Sequence, residues 1–384
     1  MPACGGGSGK KSSGKPSKKV DKVAAAKTAL KDAREAEKEG DAKAADKSYK
    51  QALKLRPSHF ETVEGYARFL IAEKRAQDAV RIASNFLSRS IGELKGYHLV
   101  ADAQMAAKDW IGAHETLTEL IELDNGDSLA FFKRGKVQIE RKNHGPALKD
   151  LDKAIELDKE NADFYAAKGL VLQRTDRLKE AAIELRKAVK LNGRHGEAHI
   201  VLGLVLRSDE EYEEALEAHK KAARFSPELA EAHFQLGISQ NIMQDNQAAE
   251  ISLKKATELD DKNATYWYAY GEVLRNLEKP KEAIEPYRKA LALNADYAKA
   301  ADKLGLVLFD AGDLDAAETM FTERVKTHPD EARAWFYLGQ VYEKADKATL
   351  AVEAYQKFLG LSDKGARDVA SVKKRLRKLK RKRR

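Results

Sequence analysis

The chain has 384 residues, of which 43% are apolar and 34% are charged, a composition typical of a folded protein with a buried core. The single cysteine, Cys4, excludes an intramolecular disulfide framework and a metal site of the Cys-x-x-Cys type. No apolar run approaches the roughly 18 residues of a membrane-spanning helix, and the sequence as given has no N-terminal apolar segment of signal-peptide length.

The net charge of +9 is distributed unevenly along the chain. Residues 1–22 contribute +5 and residues 373–384 contribute +10, which leaves −6 for the residues between them. Both ends are therefore basic, and the body of the chain is mildly acidic.

The N-terminal stretch GGGSGKKSSGKPSKK contains glycine, serine, lysine and one proline, with no apolar anchor. This composition predicts a disordered, flexible tether over residues 1–22. Residues 9–16, GKKSSGKP, have the spacing of a phosphate-binding loop, but Pro16 stands where that loop carries a magnesium-binding hydroxyl, and no strand precedes it. We interpret this stretch as linker.

Small residues recur with a period of 34 through the rest of the chain, and a fixed period of this size indicates a repeat architecture. Alanines in this register are Ala45, Ala79, Ala113, Ala147, Ala181, Ala215, Ala249, Ala283, Ala317 and Ala351. Glycines in a second register are Gly135, Gly169, Gly203, Gly237, Gly271, Gly305 and Gly339. Ten alanines in unbroken register do not arise from composition alone.

Each period has the pattern of two helices. In residues 264–277, large and small apolar side chains from Trp267 to Leu274 recur at the i, i+3, i+4 and i+7 spacing of one helical face. A break follows at Pro280, and a second helix then carries Ala283 and Tyr287 on one face. A small residue where two helices cross lets their backbones approach closely, which explains glycines that each cost roughly 1 kcal/mol inside a helix.

This pattern resembles the tetratricopeptide repeat. Residues 332–365 carry it as Trp335, Leu338, Gly339, Tyr342, Ala351 and Tyr355. Ten units fit the register: 26–59, 60–93, 94–127, 128–161, 162–195, 196–229, 230–263, 264–297, 298–331 and 332–365. The first three have Ala33, Ala67 and Ala101 in place of the glycine. The resemblance implies an all-α, right-handed superhelical α-solenoid over residues 23–365, with the first helix of each pair lining a concave face.

The fifth and ninth positions of each unit lie one turn apart on the first helix, and the motif leaves them free. In units four to eight they are nearly all apolar, and arginines flank them. An apolar strip of this kind is typical of a binding surface. The predicted partner-binding groove comprises Phe132, Leu170, Ile200, Leu204, Phe234, Ile238 and Tyr268, with Arg174, Arg207 and Arg275 beside them. Alternatively, some of these side chains pack against the preceding second helix, or the chain itself closes the groove.

Two known uses of such arrays are excluded by residue type. From the fourth unit on, no unit combines a lysine at position five with an asparagine at position nine, the pair with which related chaperone-binding clamps grip a terminal carboxylate. The asparagine ladder of related sugar-transferase arrays at position six is also missing. RNA-reading helical repeats have a different period and basic arrays that contact phosphate, whereas this body is acidic.

A catalytic or metal site is not apparent. His195 and His199 have the i, i+4 spacing of a metal-binding pair, but His199 stands at the fourth position of its unit, where Trp267 and Trp335 stand in others, so we interpret it as a packing residue. No pairing of a nucleophile with a base is visible. We predict no catalytic residue, no metal, no cofactor and no small-molecule substrate.

The C-terminal stretch has two predicted parts. Val369, Val372, Leu376 and Leu379 recur at helical spacing, which predicts a capping helix on unit ten within residues 366–384. The basic arm consists of Lys373, Lys374, Arg375, Arg377, Lys378, Lys380, Arg381, Lys382, Arg383 and Arg384. The arm either solubilises the cap or binds an anionic partner, which could be nucleic acid, phospholipid or an acidic protein. In a eukaryote it would also suit nuclear import.

The sequence as a whole predicts a non-catalytic scaffold that binds a segment of a partner protein in the groove and supports assembly of a larger complex. A nucleic-acid-associated factor that acts through the basic arm is the alternative of another class. We expect a cytoplasmic location, with one competing interpretation. The start MPAC followed by a Gly/Ser-rich tether resembles the end of a bacterial lipoprotein signal whose apolar region is missing, and Cys4 would be lipidated if the true start lies upstream of Met1. In that case the protein would be an outer-membrane lipoprotein that faces the periplasm and supports an envelope machine such as a pilus, a secretin or a gliding apparatus.

Overall fold

The computed structural model describes residues 18–363 and 368–382, with side chains described from Asp21 to Arg381 apart from residues 364–367. Residues 1–17 of the predicted tether, Cys4 among them, lie outside the described part of the chain, as do Arg383 and Arg384 of the basic arm.

The described residues form 21 helices and no strand, as expected for an all-α helical-repeat solenoid. They comprise ten helix pairs followed by one last helix. Their bounds are α1 Lys18–Glu39, α2 Ala42–Leu55, α3 Phe60–Ala72, α4 Ala76–Leu87, α5 Leu94–Ala106, α6 Trp110–Leu123, α7 Ser128–Glu140, α8 His144–Leu157, α9 Ala162–Arg174, α10 Leu178–Leu191, α11 Gly196–Ser208, α12 Tyr212–Phe225, α13 Ala230–Ile242, α14 Asn246–Leu259, α15 Ala264–Asn276, α16 Pro280–Leu293, α17 Ala298–Ala311, α18 Leu314–Thr327, α19 Ala332–Lys344, α20 Ala348–Leu361 and α21 Val369–Lys382.

The chain divides into two compact units, Met1–Thr175 and Asp176–Arg384. The first contains α1 to α9 and the second contains α10 to α21. Within the first unit the 34-residue register gives the pairs from α1–α2 to α7–α8, and within the second it gives the pairs from α11–α12 to α19–α20.

The first helix begins earlier than the sequence predicts. The composition of the tether predicts disorder through residue 22, but α1 begins at Lys18. After Pro16 the sequence is rich in lysine and alanine and contains no glycine or proline until Gly40, so nothing local stops the helix from extending. Ala26 and Leu30, which lie C-terminal to this first turn, are buried on one face of α1.

The turn inside every helix pair has the same backbone geometry. One residue per pair adopts a positive φ, and these residues recur every 34 positions: Gly40, Lys74, Lys108, Lys142, Asp176, Glu210, Gln244, Glu278, Gly312 and Asp346. At the end of α3 the N–H of Lys74 donates to the carbonyl of Ile71, and the N–H of Arg75 donates to that of Leu70, which is the Schellman arrangement. Each first helix therefore ends at a left-handed residue, and eight of these ten are not glycine.

The small residues pack where the two helices of a pair cross. All ten register alanines are essentially inaccessible to solvent. Six of the register glycines lie against the residue 16 positions later, in the second helix of the pair. Gly237, for example, lies against Leu253, and Gly271 lies against Tyr287. The six are Gly135, Gly203, Gly237, Gly271, Gly305 and Gly339. A Cβ added to Gly271 would stand 2.7 Å from Cε1 of Tyr287, so this close approach requires glycine.

A second recurring contact fixes the start of the first helix. The side chain at the fourth position donates a hydrogen bond to the carbonyl six residues earlier. The pairs are Tyr165 with Lys159, His199 with Gly193, His233 with Pro227, Trp267 with Asp261 and Trp335 with Pro329, at 2.9 to 3.2 Å. His199 is 3% exposed and makes this bond through Nε2, so it is the packing residue that its register position predicts.

Candidate protein-binding face

First helices of several successive pairs contact each other within each unit. In the second unit α11 contacts α13, α13 contacts α15, and α17 contacts α19. In the first unit α3 contacts α5, and α7 contacts α9. We call the surface formed by positions 5, 9, 12 and 13 of α11, α13, α15, α17 and α19 the first-helix face of the second unit. It carries seven of the ten residues predicted for the groove.

The remaining three predicted groove residues belong to the first unit. Phe132 is half-buried, and its ring lies 4.9 Å from the ring of Phe164 at the third position of the next repeat. Leu170 is half-buried, and Arg174 is exposed at the end of α9.

The apolar ladder of the second unit is more buried than the sequence predicts. Ile200 is 6% exposed and packs in one cluster with Ala222 and Ala232. The other members, Leu204, Phe234, Ile238 and Tyr268, are half-buried. The ring of Phe234 lies 4.7 Å from that of Tyr266, so the fifth position packs on the third position of the next repeat, as in the first unit. The ladder thus joins neighbouring first helices and leaves only part of each side chain on the surface.

Arg207 lies beside this ladder at the end of α11 and is half-buried. Its Nη1 donates to Oε1 of Gln235 at 2.9 Å. Gln235 in turn donates to Glu231 at 2.6 Å, and the other carboxylate oxygen of Glu231 accepts from the hydroxyl of Tyr266 at 2.7 Å. Burial lowers the pKa of Arg207, and the charge of Glu231 only partly opposes this. The described residues contain no carboxylate within ion-pair distance of this guanidinium.

Arg275 and Glu272 on α15 belong to a satisfied network. The carboxylate of Glu272 accepts hydrogen bonds from the hydroxyl of Tyr287 and from Nζ of Lys303, and Nε of Arg275 lies 3.5 Å away. Burial opposes ionisation of Glu272, but these donors hold its pKa below the usual value. At the ninth position of the eighth repeat, residues 264–297, the apolar ladder is therefore interrupted by Glu272, a carboxylate whose charge is already neutralised.

Asp302 on α17 is a residue of this face that the sequence did not single out. Its side chain is 13% exposed, and its Oδ2 lies 3.6 Å from Nη1 of Arg333. Burial raises the pKa of Asp302 to about 6, although the charge of Arg333 opposes the shift. Only its fifth-position register points to the face, and nothing in the local sequence signals its burial.

The capping helix packs as its spacing predicts. Val369, Val372, Leu376 and Leu379 are buried in one cluster with Tyr355 and Phe358 of α20. Within the basic arm, Arg375 pairs with Glu343 at 2.7 Å, and Lys373, Lys374, Arg377, Lys378, Lys380 and Arg381 are exposed. Lys382 ends α21.

The predicted histidine pair, His195 and His199, makes hydrogen bonds to backbone groups. Nδ1 of His195 accepts from the N–H of Ala198 at 3.3 Å and so caps α11. Across the described residues, no three His, Cys, Asp or Glu side chains are grouped so that they could hold a metal ion. No helix in the described part of the chain has both the length and the apolar character needed to span a bilayer.

Family models match the chain over more than half of its length. Tetratricopeptide repeat models match residues 25–59, 162–195, 243–298 and 303–366, and a TPR repeat model matches residues 203–240. The chain belongs to the tetratricopeptide repeat family. The proteins of this family are generally scaffolds for protein interaction, so a general role as a protein-interaction scaffold follows from membership.

Named relatives match only part of this tetratricopeptide repeat chain. A TPR repeat-containing protein of Dictyostelium discoideum is 30% identical over 113 residues, which are 27% of this chain and 43% of the relative. The type IV pilus assembly protein PilF of Pseudomonas aeruginosa is 30% identical over 118 residues, which are 30% of this chain and 47% of PilF. The chain thus spans less than half the length of the curated relatives that it matches.

Solved structures with similar folds include a structure of Pseudomonas aeruginosa pilF, with 22% identity, a TM-score of 0.48, and coverage of 55% of this chain and 96% of that one. YrrB, described as a TPR protein with an unusual peptide-binding site, has 27% identity and a TM-score of 0.42, and the match covers 49% of this chain and 97% of YrrB. The matched chain of the hetero-tetramer Cut9-Hcn1 has 16% identity and a TM-score of 0.46, and the match covers 91% of this chain and 76% of that one.

Proposed function

We propose that this protein is a non-catalytic scaffold that binds a segment of a partner protein on the first-helix face of the second unit, at α11, α13 and α15, and so supports assembly of a complex. The observation that carries the proposal is the half-buried guanidinium of Arg207, which has a neutral hydrogen-bond partner and no paired carboxylate in the described residues. A cation that has already lost part of its hydration gains more from a carboxylate than an exposed one does.

The surroundings of Arg207 suit a peptide segment. Leu204, Ile238 and Tyr268 keep part of their side chains on the surface, and they recur along three neighbouring helices. A partner segment with apolar side chains beside an aspartate or glutamate would cover this strip with its apolar side chains and, at the same time, pair its carboxylate with Arg207. Such a segment also explains why an isolated charge is kept beside an apolar ladder.

Site-specific photo-crosslinking tests the proposal. A benzoylphenylalanine at position 238 lies on the first-helix face, whereas one at position 251 replaces Ile251, which is 73% exposed on the second helix α14. Expressed in its native host, the protein should form a discrete crosslink from position 238 and none of the same mass from position 251. Mass spectrometry of the crosslink identifies the partner segment. Equal crosslinking from both positions would contradict the assignment to this face.

A second candidate function is favoured by the similarity to PilF over 118 residues. We propose as this alternative that the protein supports assembly of an envelope machine and is anchored through a lipid on Cys4, the single cysteine. Expression from the genomic locus with an alkyne-tagged palmitate, followed by click detection, tests the anchor, with Cys4→Ser as the control variant. Label on the parent chain and none on the variant supports the alternative; an unlabelled parent chain contradicts it.

A further inference from the structure

The last helix packs against α20 by its inner side. Val372 is fully buried and Leu379 is 6% exposed, and both pack in one cluster with Tyr355. Arg375 donates to Oε2 of Glu343 at 2.7 Å, and the hydroxyl of Tyr355 donates to the same oxygen at 2.8 Å. These contacts fix the rotation of α21 about its axis and thus determine which side chains point outward.

The outward side carries four cations that have no acidic partner in the described part of the chain. Lys374, Arg377, Lys378 and Arg381 are all exposed and stand at i, i+3, i+4 and i+7, so they share one helical face. We call them the basic face of α21. Like charges at these spacings destabilise a helix by a few tenths of a kcal/mol per pair. Nothing in the packing of α21 requires this cost.

The basic face borders a cleft of about 860 Å³ between α19 and α21. The residues that line it are Glu343, Ser371, Lys374, Arg375, Arg377, Lys378 and Arg381. Because Glu343 is already paired with Arg375, the free charges around this cleft are all positive. The cleft therefore has a positive potential, which favours an anionic ligand.

We propose that the basic face of α21 binds an acidic stretch of a polypeptide. This inference is independent of whether the first-helix face binds its own segment. The choice of a polypeptide rests on the charge of the rest of the second unit. Residues 176–363 carry 26 lysines and arginines against 34 aspartates and glutamates, so the array that adjoins α21 repels an extended polyanion or an anionic bilayer. A short acidic segment contacts the basic face alone and escapes this repulsion.

The side-chain composition of the basic face points the same way. Single-stranded nucleic acids stack on aromatic side chains, and lipid surfaces take up apolar ones. The outward positions of α21 that line the cleft offer neither, since Ser371 is the only uncharged residue there.

Three labelled probes separate the possible ligands: a glutamate-rich peptide, a single-stranded DNA of equal charge and phosphatidylserine vesicles. The full chain is titrated with each by fluorescence anisotropy or co-sedimentation. In the test variant, Lys374, Arg377, Lys378 and Arg381 are each changed to Gln. In the control variant, Lys190, Lys254, Lys255 and Lys281 are each changed to Gln; these are exposed cations of the same unit that have no ion pair among the described residues, so the net charge is matched.

The peptide is expected to bind the parent chain more tightly than DNA or vesicles do. The test variant should lose affinity for it on the order of tenfold or more, and the control should change by less than threefold. A two-site variant, Arg377→Gln with Lys378→Gln, should give an intermediate loss, which keeps the test decisive if the fourfold variant loses helix content. Preference for DNA or vesicles, an equal loss in test and control, or no binding of the peptide would each overturn the proposal.

Discussion

The imidazole of His219 lies directly against Gly203. A Cβ at position 203 would stand 2.3 Å from Nε2 of His219, while Nδ1 of the same ring lies 2.7 Å from Oγ of Ser239. His219 is fully buried and occupies the register position that Leu253 and Tyr287 hold in the next two repeats. A polar ring therefore fills the centre of the sixth repeat, residues 196–229.

Replacing Gly203 with alanine should destabilise the second unit by about 1–3 kcal/mol, because the added methyl group overpacks the crossing of α11 and α12. Urea denaturation followed by circular dichroism measures the change. Gly360 is the matched control, since a Cβ there meets nothing within 4 Å. Gly360→Ala should leave stability unchanged or raise it by up to about 1 kcal/mol, as expected for glycine replacement in a helix. Similar losses in both variants would contradict the packing described for Gly203.

Acid should weaken the second unit through His219. Burial, helped by the charge of Arg207, lowers the pKa of His219 to about 4. The unfolded chain takes up a proton near the ordinary pKa of about 6.5. Stability from this residue is therefore complete above pH 6.5 and falls by up to about 3 kcal/mol as the pH drops towards 4. His219→Leu, the residue type that repeats four and seven use, should remove this part of the pH dependence of the unfolding free energy. An unchanged slope between pH 7 and pH 4.5 would show that His219 is not responsible.

The buried carboxyl of Asp302 should have the opposite pH dependence. Its folded pKa is raised to about 6, so the cost of its charge is present above that pH and disappears as the pH falls towards the unfolded value of 3.8. Asp302→Asn should stabilise the protein at pH 8 by up to about 3 kcal/mol, less the loss of attraction to Arg333, and should have little effect at pH 4. Asp310→Asn, at an exposed position of the same helix, serves as the control. A stabilisation at pH 4 equal to that at pH 8 would contradict burial as the cause.

At the left-handed turn positions, replacing a side chain by glycine and replacing glycine by alanine should change stability in opposite directions. Gln244 has a φ of 62° and Gly312 has a φ of 81° at equivalent positions of two repeats. A side chain at a left-handed position costs roughly 1–2 kcal/mol, part of which the greater backbone entropy of glycine offsets. Gln244→Gly should therefore stabilise the protein by a few tenths to about 1 kcal/mol, and Gly312→Ala should destabilise it by a similar amount. Differential scanning calorimetry compares the two variants; changes of the same sign would contradict the account of the turn.

The repeat architecture could be predicted from the sequence because its signal is repeated ten times. The alanines and glycines recur in register since each marks a helix crossing, and the packing of Gly271 on Tyr287 shows why. The fourth-position side chains were also recognisable from register, and His199 makes the same contact as Trp267. What the sequence lacked was a signal for the turns, where Lys74 or Gln244 takes a conformation that usually indicates glycine.

The candidate protein-binding face was less predictable because the exposure of its side chains depends on neighbouring repeats. Phe234 is half-buried because Tyr266, 32 residues away, lies against it. The hydrogen bonds that link Arg207 to Gln235 and Glu231 join two repeats, and the pair of Arg375 with Glu343 joins two more helices. No local pattern reveals such contacts, so register alone overestimates how much apolar surface the predicted groove exposes.

The central claim is that Arg207 receives a carboxylate of a partner segment on the first-helix face. A double-mutant cycle by isothermal titration calorimetry tests it, with Arg207→Gln in this protein and the corresponding Asp→Asn or Glu→Gln change in the crosslinked segment. The account predicts that each single change weakens binding at least tenfold and that the double change is hardly weaker than either, giving a coupling energy of about 1.5 kcal/mol or more. Additive effects for every carboxylate of the segment would contradict the account.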